Sequence, residues 1–412
     1  MNGLANTSLA DIRTEIAIVG GGLSGGLIAL ALRRQHPEMQ VTLIEAGDIL
    51  GGNHRWSWFD SDLDEDGAAL LANFRKNDWH GYEVHFPAYR RKLGSTYHSL
   101  TSDDFDAALR RELGQNTIHT KRPVVSLDAK GVTLQNGQRI SARTVIDCRG
   151  PSGSAHLTGG WQVFMGRITR TNKPHGITRP IIMDATIEQQ APDGGGGGGA
   201  YRFVYVLPLG VDELFVEDTY YADSPVLDRS ALSGRIDRYH EQHGWEGQIT
   251  GGETGVLPVI TGGDFTSFQA EQRTEGVVLA GAKGGFVHPL TSYTLPFAVE
   301  TALAIARDAE LPGEQMAAMM EARARKHWGR TKFYRQLGAM LFGAALPRER
   351  YRVFERFYRL PAGLIERFYA GKSRFSDKAR VLIGKPPVPV SRAISALTGK
   401  GAPLVAHKEK IG

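Results

Sequence analysis

The chain has 412 residues, of which 41% are hydrophobic and 23% charged, so it is long enough for two packed domains of an ordinary globular protein. Its single cysteine, Cys148, excludes disulfides and cysteine-based metal sites, so we predict no metal site, and no apolar run approaches the length of a membrane-spanning helix. The net charge of +5 hides a division, because residues 321–412 carry 21 Lys+Arg and 6 Asp+Glu whereas the rest of the chain is acidic.

The first hundred residues open with the pattern of a dinucleotide-binding unit. Glycines keep Cβ atoms away from a bound pyrophosphate, and the N-terminus of the following helix offers unpaired N–H groups to that anion. An acid at the end of the second strand can accept hydrogen bonds from a ribose diol. The predicted order is a strand over Glu15–Val19, glycines at Gly20, Gly22 and Gly25, a helix over Leu27–Arg34, a strand over Gln40–Ile44, and the acid Glu45. Because the whole order is present, we favour dinucleotide binding over a merely glycine-rich turn.

A loop with two more glycines follows the acid. Gly51 and Gly52 allow a close backbone approach beneath a ligand. Trp56 and Trp58 offer large rigid apolar surfaces, which serve either that ligand or packing between domains. Both interpretations stay open at this point.

The middle of the chain predicts a long excursion from the nucleotide-binding sheet and a return to it. Residues 60–87 have a polar, irregular pattern, and a helix is expected to open at Ser102. The six glycines of Gly194–Gly199 predict a flexible loop, since they lack the lysine and hydroxyl of a phosphate-binding loop. Strands are predicted over Thr117–Leu127, Val132–Leu134 and Thr144–Asp147, then over Phe164–Arg170, Ile181–Asp184, Tyr201–Leu207 and Glu213–Tyr220 in a mostly antiparallel excursion, with a returning strand over Gly276–Gly281 and a helix over Phe297–Arg307.

The last hundred residues predict helices with aromatic and basic faces. Tyr351–Leu360 and Leu364–Tyr369 carry apolar groups at three- and four-residue spacing among arginines. Such helices either lie in a bilayer interface or cover the protein body as ordinary amphipathic helices. The basic charge alone fits nucleic acid or anionic lipid as a partner. Pro386–Pro389 is expected to end the folded part.

Several distinctive motifs are spread over nearly the whole chain. They are Gly51-Gly52-Asn53-His54-x-Trp56-Ser57, Arg90-Arg91-Lys92-Leu93, Ile181-Ile182-Met183-Asp184-Ala185-Thr186, Tyr201-Arg202-Phe203-Val204-Tyr205, Glu217-Asp218-Thr219, His288-Pro289-x-Thr291-x-Tyr293-x-Leu295-Pro296, Arg367-Phe368-Tyr369-Ala370-Gly371-Lys372 and Gly384–Val390. Together they resemble the motifs of the bacterial lycopene β-cyclases, a family of carotenoid-biosynthetic flavoproteins. The six-glycine run has no counterpart in this pattern.

The resemblance implies an α/β (α+β) fold with a Rossmann-like FAD-binding domain of the two-dinucleotide-binding type, an antiparallel-sheet substrate domain and a helical C-terminal region. The FAD-binding domain is expected over residues 12–60, 95–150 and 276–307, and the substrate domain over 61–94 and 151–275. A basic aromatic membrane-facing region is expected over residues 308–390 and a tail over 391–412.

The resemblance also implies a reaction, in which the acyclic ends of lycopene close to β-ionone rings, giving β-carotene through γ-carotene without net redox change. FAD in its reduced form and NAD(P)H as reductant are the implied cofactors. Glu217 matches the family's acid/base carboxylate, and Asp218 is a further catalytic candidate. Protonating an end-group double bond requires a neutral carboxylic acid, and burial beside a hydrocarbon raises a carboxyl pKa. The alternative is an FAD-dependent monooxygenase or dehydrogenase acting on a hydrophobic substrate.

The remaining site residues and partners follow from the same resemblance. Lycopene and related acyclic carotenoids are the expected substrates, drawn from a membrane surface, so the protein is expected to be cytoplasmic and peripheral to the inner membrane; no nucleic acid is expected, and the oligomeric state is unknown. Expected cofactor-binding residues are Gly20, Gly22, Ser24, Gly25, Glu45, Gly52, Val125, Gly281, Gly284 and Gly285. Expected substrate-pocket residues are Trp56, Tyr205, Phe215, Phe286, His288 and Tyr293.

Overall fold

The computed structural model describes residues 11–150, 153–189, 200–346, 349–384, 388–399 and 401–405. The six-glycine run Gly194–Gly199 lies outside these residues. Within them, two β-sheets and their covering helices make up the fold. The helices are α1 (Leu23–Gln35), α2 (Glu65–Leu71), α3 (Ser102–Leu113), α4 (Arg229–His243), α5 (Phe265–Gln272), α6 (Leu295–Arg307), α7 (Gly313–Arg330), α8 (Lys332–Ala344), α9 (Arg350–Phe357), α10 (Ala362–Tyr369), α11 (Phe375–Leu382) and α12 (Val390–Thr398).

The smaller sheet has the predicted nucleotide-binding topology. Its strands are β1 (Ile12–Val19), β2 (Val41–Ile44), β6 (Ile118–His119), β7 (Val124–Asp128), β8 (Gly131–Leu134), β9 (Arg139–Asp147) and β15 (Val278–Leu279). Their order is β6-β2-β1-β9-β8-β7, with β15 pairing parallel to β9. The chain leaves β1 through α1 to reach β2 on one side, whereas β9 lies on the other, so the carboxyl end of β1 is a topological switch point where ligands bind.

The larger sheet contains most of the excursion and confirms its antiparallel character. Its strands are β3 (Arg55–Phe59), β4 (Asn77–Phe86), β5 (Tyr89–Thr101), β10 (Ser154–Thr171), β11 (Ile181–Asp184), β12 (Tyr201–Pro208), β13 (Glu213–Ala222), β14 (Gly247–Gly263) and β16 (Pro403–Leu404). The order is β14-β10-β13-β12-β11-β4-β5-β3, with β16 beside β10, and the β11–β4 pair is parallel. β3 and the whole of β5 belong to this sheet, although residues 12–60 and 95–150 are the ranges expected for the FAD-binding domain.

Residues 60–87 were predicted to be irregular, and this prediction is wrong. They contain α2 and the ten-residue strand β4. Tyr82, Val84 and Phe86 are fully or almost fully buried on alternate positions of β4. Polar residues between them conceal this alternation, and the strand is fixed by pairing with β5 and β11 rather than by a strong local preference. The excursion, for which only strands were predicted, also contains the helices α4 and α5.

The aromatic helices near the carboxyl terminus pack their aromatic sides against the protein. Tyr358, Ile365 and Phe368 are buried in one hydrophobic cluster with residues of β3, β4 and β12. The ring of Phe354 stacks on that of Tyr201 at a centroid distance of 4.5 Å. The structure therefore favours the covering-helix interpretation for α9 and α10.

The folded part does not end at Pro386–Pro389, contrary to the prediction. Beyond it, α12 packs closely on α8, where a Cβ placed on Gly343 would lie 2.7 Å from the Cβ of Ala396. The chain then returns to the larger sheet as β16, in which Leu404 is 3% exposed and pairs with Ser154. A short strand of this kind has no local sequence signature, because its only support is the neighbour it joins. Among the described helices, none has the length and apolarity needed to cross a bilayer.

Candidate active site

A cleft of about 520 Å³ lies at the carboxyl end of β1. It is bounded by the turn into α1, by the acid after β2, and by the glycine loop before β3. The predicted residues that line it are Gly20, Gly22, Ser24, Glu45, Gly52, Trp56, Gly281 and Phe286. Sequence motifs separated by more than 200 residues therefore meet at one cleft.

The start of α1 fits an anionic group of a dinucleotide. The N-cap residue, Gly22, makes no side-chain cap, and a Cβ added to it would meet no atom within 4 Å, so the first turn is open to the cleft. The buried hydroxyl of Ser24 has no hydrogen-bond partner among the described residues. Open N–H groups, a positive dipole end and a free hydroxyl are what a pyrophosphate requires. The geometry therefore fits the diphosphate of FAD.

The helix begins at Leu23, four residues before the predicted start, because the third motif glycine belongs to its first turn. A Cβ on Gly25 would lie 2.0 Å from the carbonyl oxygen of Gly20, so Gly25 serves the close packing of helix on strand and does not line the cleft. Gly20 itself has a φ of +99°, a conformation that glycine adopts without strain.

The carboxylate of Glu45 is fixed at the wall of the cleft by two backbone groups. Its Oε2 accepts a hydrogen bond of 2.7 Å from the N–H of Gly21, and its Oε1 accepts one of 2.8 Å from the N–H of Gly47. A carboxylate has about four acceptor positions, so two remain for a ribose diol.

Besides Gly25, three of the expected cofactor residues lie away from the cleft. Val125 is 62% exposed, and Val124 lines the cleft instead, because successive residues of β7 point to opposite sides. A Cβ on Gly284 would meet Phe286 and the backbone of Leu279, and one on Gly285 would meet Phe265. These two glycines therefore shape the turn after β15 and do not face a ligand in the cleft.

Glu217 lies on β13, and its side chain points to the same face of the larger sheet as that of Phe215. Arg55 of β3 lies over this face, which we call the inner face. Glu217 is 9% exposed, and its Oε1 accepts a hydrogen bond of 2.6 Å from the hydroxyl of Thr219. Burial raises its pKa to about 7, although the Thr219 hydroxyl opposes the shift. A carboxyl of this kind is partly protonated near neutral pH and can donate a proton.

Two charged residues beside Glu217 were not found by sequence reasoning. Glu253 on β14 has its pKa raised to about 8, first by burial and next by the charge of Glu217. Arg55 on β3 lies over the ring of Phe215 at 5.3 Å and lowers the pKa of both carboxyls. In the sequence, the signal that could have pointed to Glu253 is its position as the single acid of an otherwise uncharged, glycine-rich strand, Gly247–Gly263.

Asp218 lies on the opposite face of β13. It is fully buried, and its two carboxylate oxygens accept hydrogen bonds of 2.8 Å from Nε and Nη2 of Arg202. Burial raises its pKa, and Arg202 opposes the rise. Asp218 is thus an ion-paired residue turned away from Glu217, and the structure does not support its predicted catalytic part.

Two of the expected substrate-pocket residues share the inner face with Glu217. The ring of Phe215 packs edge-on to that of Tyr205 at 6.3 Å, and the Tyr205 hydroxyl donates a bond of 3.0 Å to Ser57. Its oxygen also lies 2.9 Å from the hydroxyl oxygen of Tyr97. The inner face therefore combines aromatic rings with few polar groups.

The other expected pocket residues are divided between the cleft and the core. Trp56 packs edge-on against Phe105 at 5.2 Å in the cleft wall, whereas Trp58 is buried and stacks on His98, which favours packing for that residue. Tyr293 donates a hydrogen bond of 2.5 Å to the buried carboxyl of Asp62.

His288 is fully buried among aromatic rings. One ring nitrogen lies 3.1 Å from the carbonyl oxygen of Phe368, and the other accepts a bond of 3.3 Å from the N–H of Thr291. Burial lowers its pKa to about 3, so it stays neutral. It holds its loop in place and does not face the cleft.

Comparison with known sequences gives matches along nearly the whole chain. Residues 15–395 match the family described as Lycopene cyclase protein. The chain is 43% identical over 380 residues to a lycopene beta-cyclase of Pseudescherichia vulneris, covering 92% of this chain and 96% of that protein. It is 40% identical over 384 residues to a lycopene beta-cyclase of Pantoea ananas, covering 93% and 97%.

Solved structures share the fold at low sequence identity. A geranylgeranyl bacteriochlorophyll reductase-like protein from Thermoplasma acidophilum matches with a TM-score of 0.59 and 14% identity, over 94% of this chain and 99% of its own. The structure of pqsL, a probable FAD-dependent monooxygenase from Pseudomonas aeruginosa, matches with a TM-score of 0.56 and 13% identity, over 84% and 100%. These similarities establish the fold class and say nothing about the reaction of this chain.

Proposed function

Because the chain belongs to the lycopene cyclase family, we propose that it is a lycopene β-cyclase, which closes β-ionone rings at the ends of lycopene without net redox change. Glu217 is the observation that carries the proposal. A buried carboxyl whose pKa is raised to about 7 stands on an aromatic face, and Arg55, whose charge acts on it, stands between the cleft residues His54 and Trp56. The product is β-carotene, formed through γ-carotene as the one-ringed intermediate.

The chemistry asks three things of the protein's own residues. A proton must be delivered to an end-group double bond, and protonated Glu217 can deliver it. The resulting cation needs stabilisation without a nucleophile, and the faces of Phe215 and Tyr205 provide it by cation–π attraction. Water must be kept away from the cation, and the burial of Glu217 and Phe215 supports such an exclusion.

FAD fits the cleft through the residues that line it. Gly20, Gly22 and Ser24 would hold the diphosphate, Glu45 the ribose, and Gly281 the part of the flavin near the returning strand. In the reduced form, with NAD(P)H as the reductant, the bound cofactor would supply oriented negative charge for the cation.

A membrane surface is the proposed source of the substrate, since a C40 hydrocarbon does not dissolve in water. We propose α11 and α12 as the contact region in place of α9 and α10, because the aromatic sides of α9 and α10 pack against the protein. The exposed apolar residues there are Phe375 (88% exposed), Leu382, Ile383, Ile394 and Leu397. Arg374, Arg380 and Arg392 lie among them and suit anionic headgroups.

The test is conversion of lycopene in liposomes by the purified protein with FAD and NADPH under anaerobic conditions. A product of unchanged mass with β-rings, and its absence with Glu217→Gln, is the expected result. A product that has gained oxygen or lost hydrogen, with NADPH consumed in proportion, would instead identify an FAD-dependent monooxygenase or dehydrogenase acting on a hydrophobic substrate. Unaltered activity of Glu217→Gln would reject the mechanism while leaving the reaction in place.

A further inference from the structure

We propose that Glu253 is a second acid–base carboxyl of this site and shares one proton with Glu217 across the backbone of Gly166. This role deepens the proposed function and rests on it. One member of the pair donates the proton that starts ring closure, and the other accepts the proton that ends it.

Strand register brings the two carboxyls to one place. Gly166 of β10 pairs with Glu217 of β13 on one side and with Glu253 of β14 on the other. Residues at the same level of adjacent strands point to the same face of a sheet, so both carboxyls stand on the inner face. Only one strand separates them.

The residue between the carboxyls has no side chain. A Cβ on Gly166 would lie 2.3 Å from Cζ of Phe215 and 3.4 Å from the Cβ of Glu217. The Phe215 ring therefore lies over Gly166 and occupies the position between the acids that a side chain at residue 166 would take. Two glutamate side chains can lean toward each other above it.

Charge allows only one of the two acids to ionise readily. Facing Glu253 are Glu217 from β13, which raises its pKa, and Arg55 from β3, whose charge and backbone N–H lower it. The charge of Asp218, on the other face of β13, also raises the pKa of Glu217, and the hydroxyl of Thr219 lowers it. Beyond Arg55 lie the titratable groups Tyr205, Asp104 and Glu213. One cation, Arg55, beside the buried Glu217 and the partly buried Glu253 stabilises one negative charge, so the pair retains one proton near neutral pH.

The proton balance of ring closure matches such a pair. A carboxyl O–H breaks while a C–H bond forms at the end-group double bond, and the neighbouring double bond attacks the cation to form the ring C–C bond. A C–H bond on the carbon beside the new cation then breaks, its electron pair forms the ring double bond, and the proton goes to the carboxylate. The pair again holds one proton, and its transfer between the two acids restores the starting state without any co-reactant.

The test compares Glu253→Gln with wild type and with Glu246→Gln, an exposed glutamate just before β14. Flavin absorbance first establishes that each purified variant binds FAD as wild type does. Lycopene turnover in liposomes is then followed across pH, and the position of the ring double bond is read from the absorption spectrum of the product. Cyclisation by the wild-type protein tests the proposed function separately. If the wild type forms β-rings, the proposed function holds whatever role Glu253 has.

For Glu253→Gln we expect kcat to fall by about 100-fold, which is the usual minimum for loss of a general acid or base, and one limb of the bell-shaped pH profile to disappear. Product that still forms should include rings whose double bond lies outside the conjugated chain, because without its acceptor the cation loses a proton from another carbon. Glu253→Asp should recover part of the rate with both limbs present. A kcat within threefold of wild type, with the same pH profile and the same product, would overturn the proposal. So would a rate loss in Glu253→Gln with both limbs and the β-ring product unchanged, since that is the behaviour of a merely structural residue.

Discussion

The two faces of the larger sheet around β13 place neighbouring acids in opposite environments. On the outer face, Asp218 is fully buried and makes a bidentate ion pair with Arg202. On the inner face, Glu217 is nearly as buried, but its hydrogen-bond partner is the neutral hydroxyl of Thr219. Two consecutive residues of one strand thus receive the same desolvation and different compensation.

The contrast suits a structural role for Asp218 and a chemical role for Glu217, two consecutive residues of one strand. An ion-paired carboxylate is held charged and holds its arginine in place, so it belongs to the fold. A carboxyl buried without an ion pair keeps its proton to a higher pH, so it is available for acid catalysis. Sequence motifs present the two acids together, and only the face to which each points tells them apart.

The largest expected effect comes from removing the inner acid. Glu217→Gln keeps the shape of the side chain and its bond to Thr219 but removes the transferable proton. We expect kcat for ring formation to fall by about 10³-fold or more with FAD binding unchanged, as measured by product formation and flavin absorbance. Asp218→Asn provides the comparison, because the folded fraction of this variant should turn over at nearly the wild-type rate. A fall in kcat as large as that of Glu217→Gln would contradict different roles for the two acids.

The outer acid should instead matter for stability. Asp218→Asn leaves the buried guanidinium of Arg202 without its counter-charge, which costs roughly 3–5 kcal/mol of unfolding free energy. Urea denaturation followed by circular dichroism measures this loss. The matched control is Asp237→Asn, because Asp237 pairs with Arg167 on the same face but is 54% exposed and should cost much less.

One methyl group on Gly166 would displace the Phe215 ring that lies between the inner acids. Gly166→Ala puts a Cβ within 2.3 Å of the Phe215 ring, so the ring must shift; overpacking of this kind costs about 1–3 kcal/mol, and we expect kcat to fall about tenfold. Gly94→Ala on β5 is the control, since its Cβ would meet no atom within 4 Å. Equal, small effects of both substitutions would show that the position of the Phe215 ring beside Gly166 has no role.

A smaller effect concerns stability and pH. The pKa of Glu217 rises on folding from its ordinary value of 4.5 to about 7, so the unfolded chain binds fewer protons than the folded one between these values. The native state therefore loses stability as pH rises through this range, and the penalty is complete above pH 7. Glu217→Gln lacks the penalty, so its Tm should exceed that of wild type above pH 7 and match it near pH 4. A Tm difference that does not change with pH would mean that Glu217 is not the titrating group.

Sequence reasoning succeeded where structure is local. The strand, glycine turn, helix and acid of residues 12–45 follow from neighbours along the chain, and the sheet places them as predicted. The pattern also identified Glu217, but through a motif and not through its surroundings. Val125 shows the limit, because a shift of one residue along a strand reverses the side to which a side chain points.

The rest depends on contacts between distant segments. Glu253 reaches the site only because β14 pairs with β10 in one register, and Arg55 only because β3, almost 200 residues earlier, curves against the same face. β16 is a two-residue strand that exists through pairing with β10. The sequence of a short strand does not determine which strand it pairs with or in which register. The residues that meet on the inner face could therefore not be predicted from the sequence.

The smallest expected effect concerns the single bond that tunes the inner acid. The hydroxyl of Thr219 donates to Glu217 and lowers its pKa, opposing the larger effect of burial. Thr219→Val keeps the volume and removes the donor, so the pKa of Glu217 should rise and its protonated form should persist to higher pH. The alkaline limb of the kcat profile should therefore move to higher pH, with at most a few-fold change in the maximum rate. Thr144→Val, in the other sheet, is the control because its buried hydroxyl has no hydrogen-bond partner among the described residues; a limb that moves to lower pH in Thr219→Val would contradict the assignment of Glu217 as the proton donor.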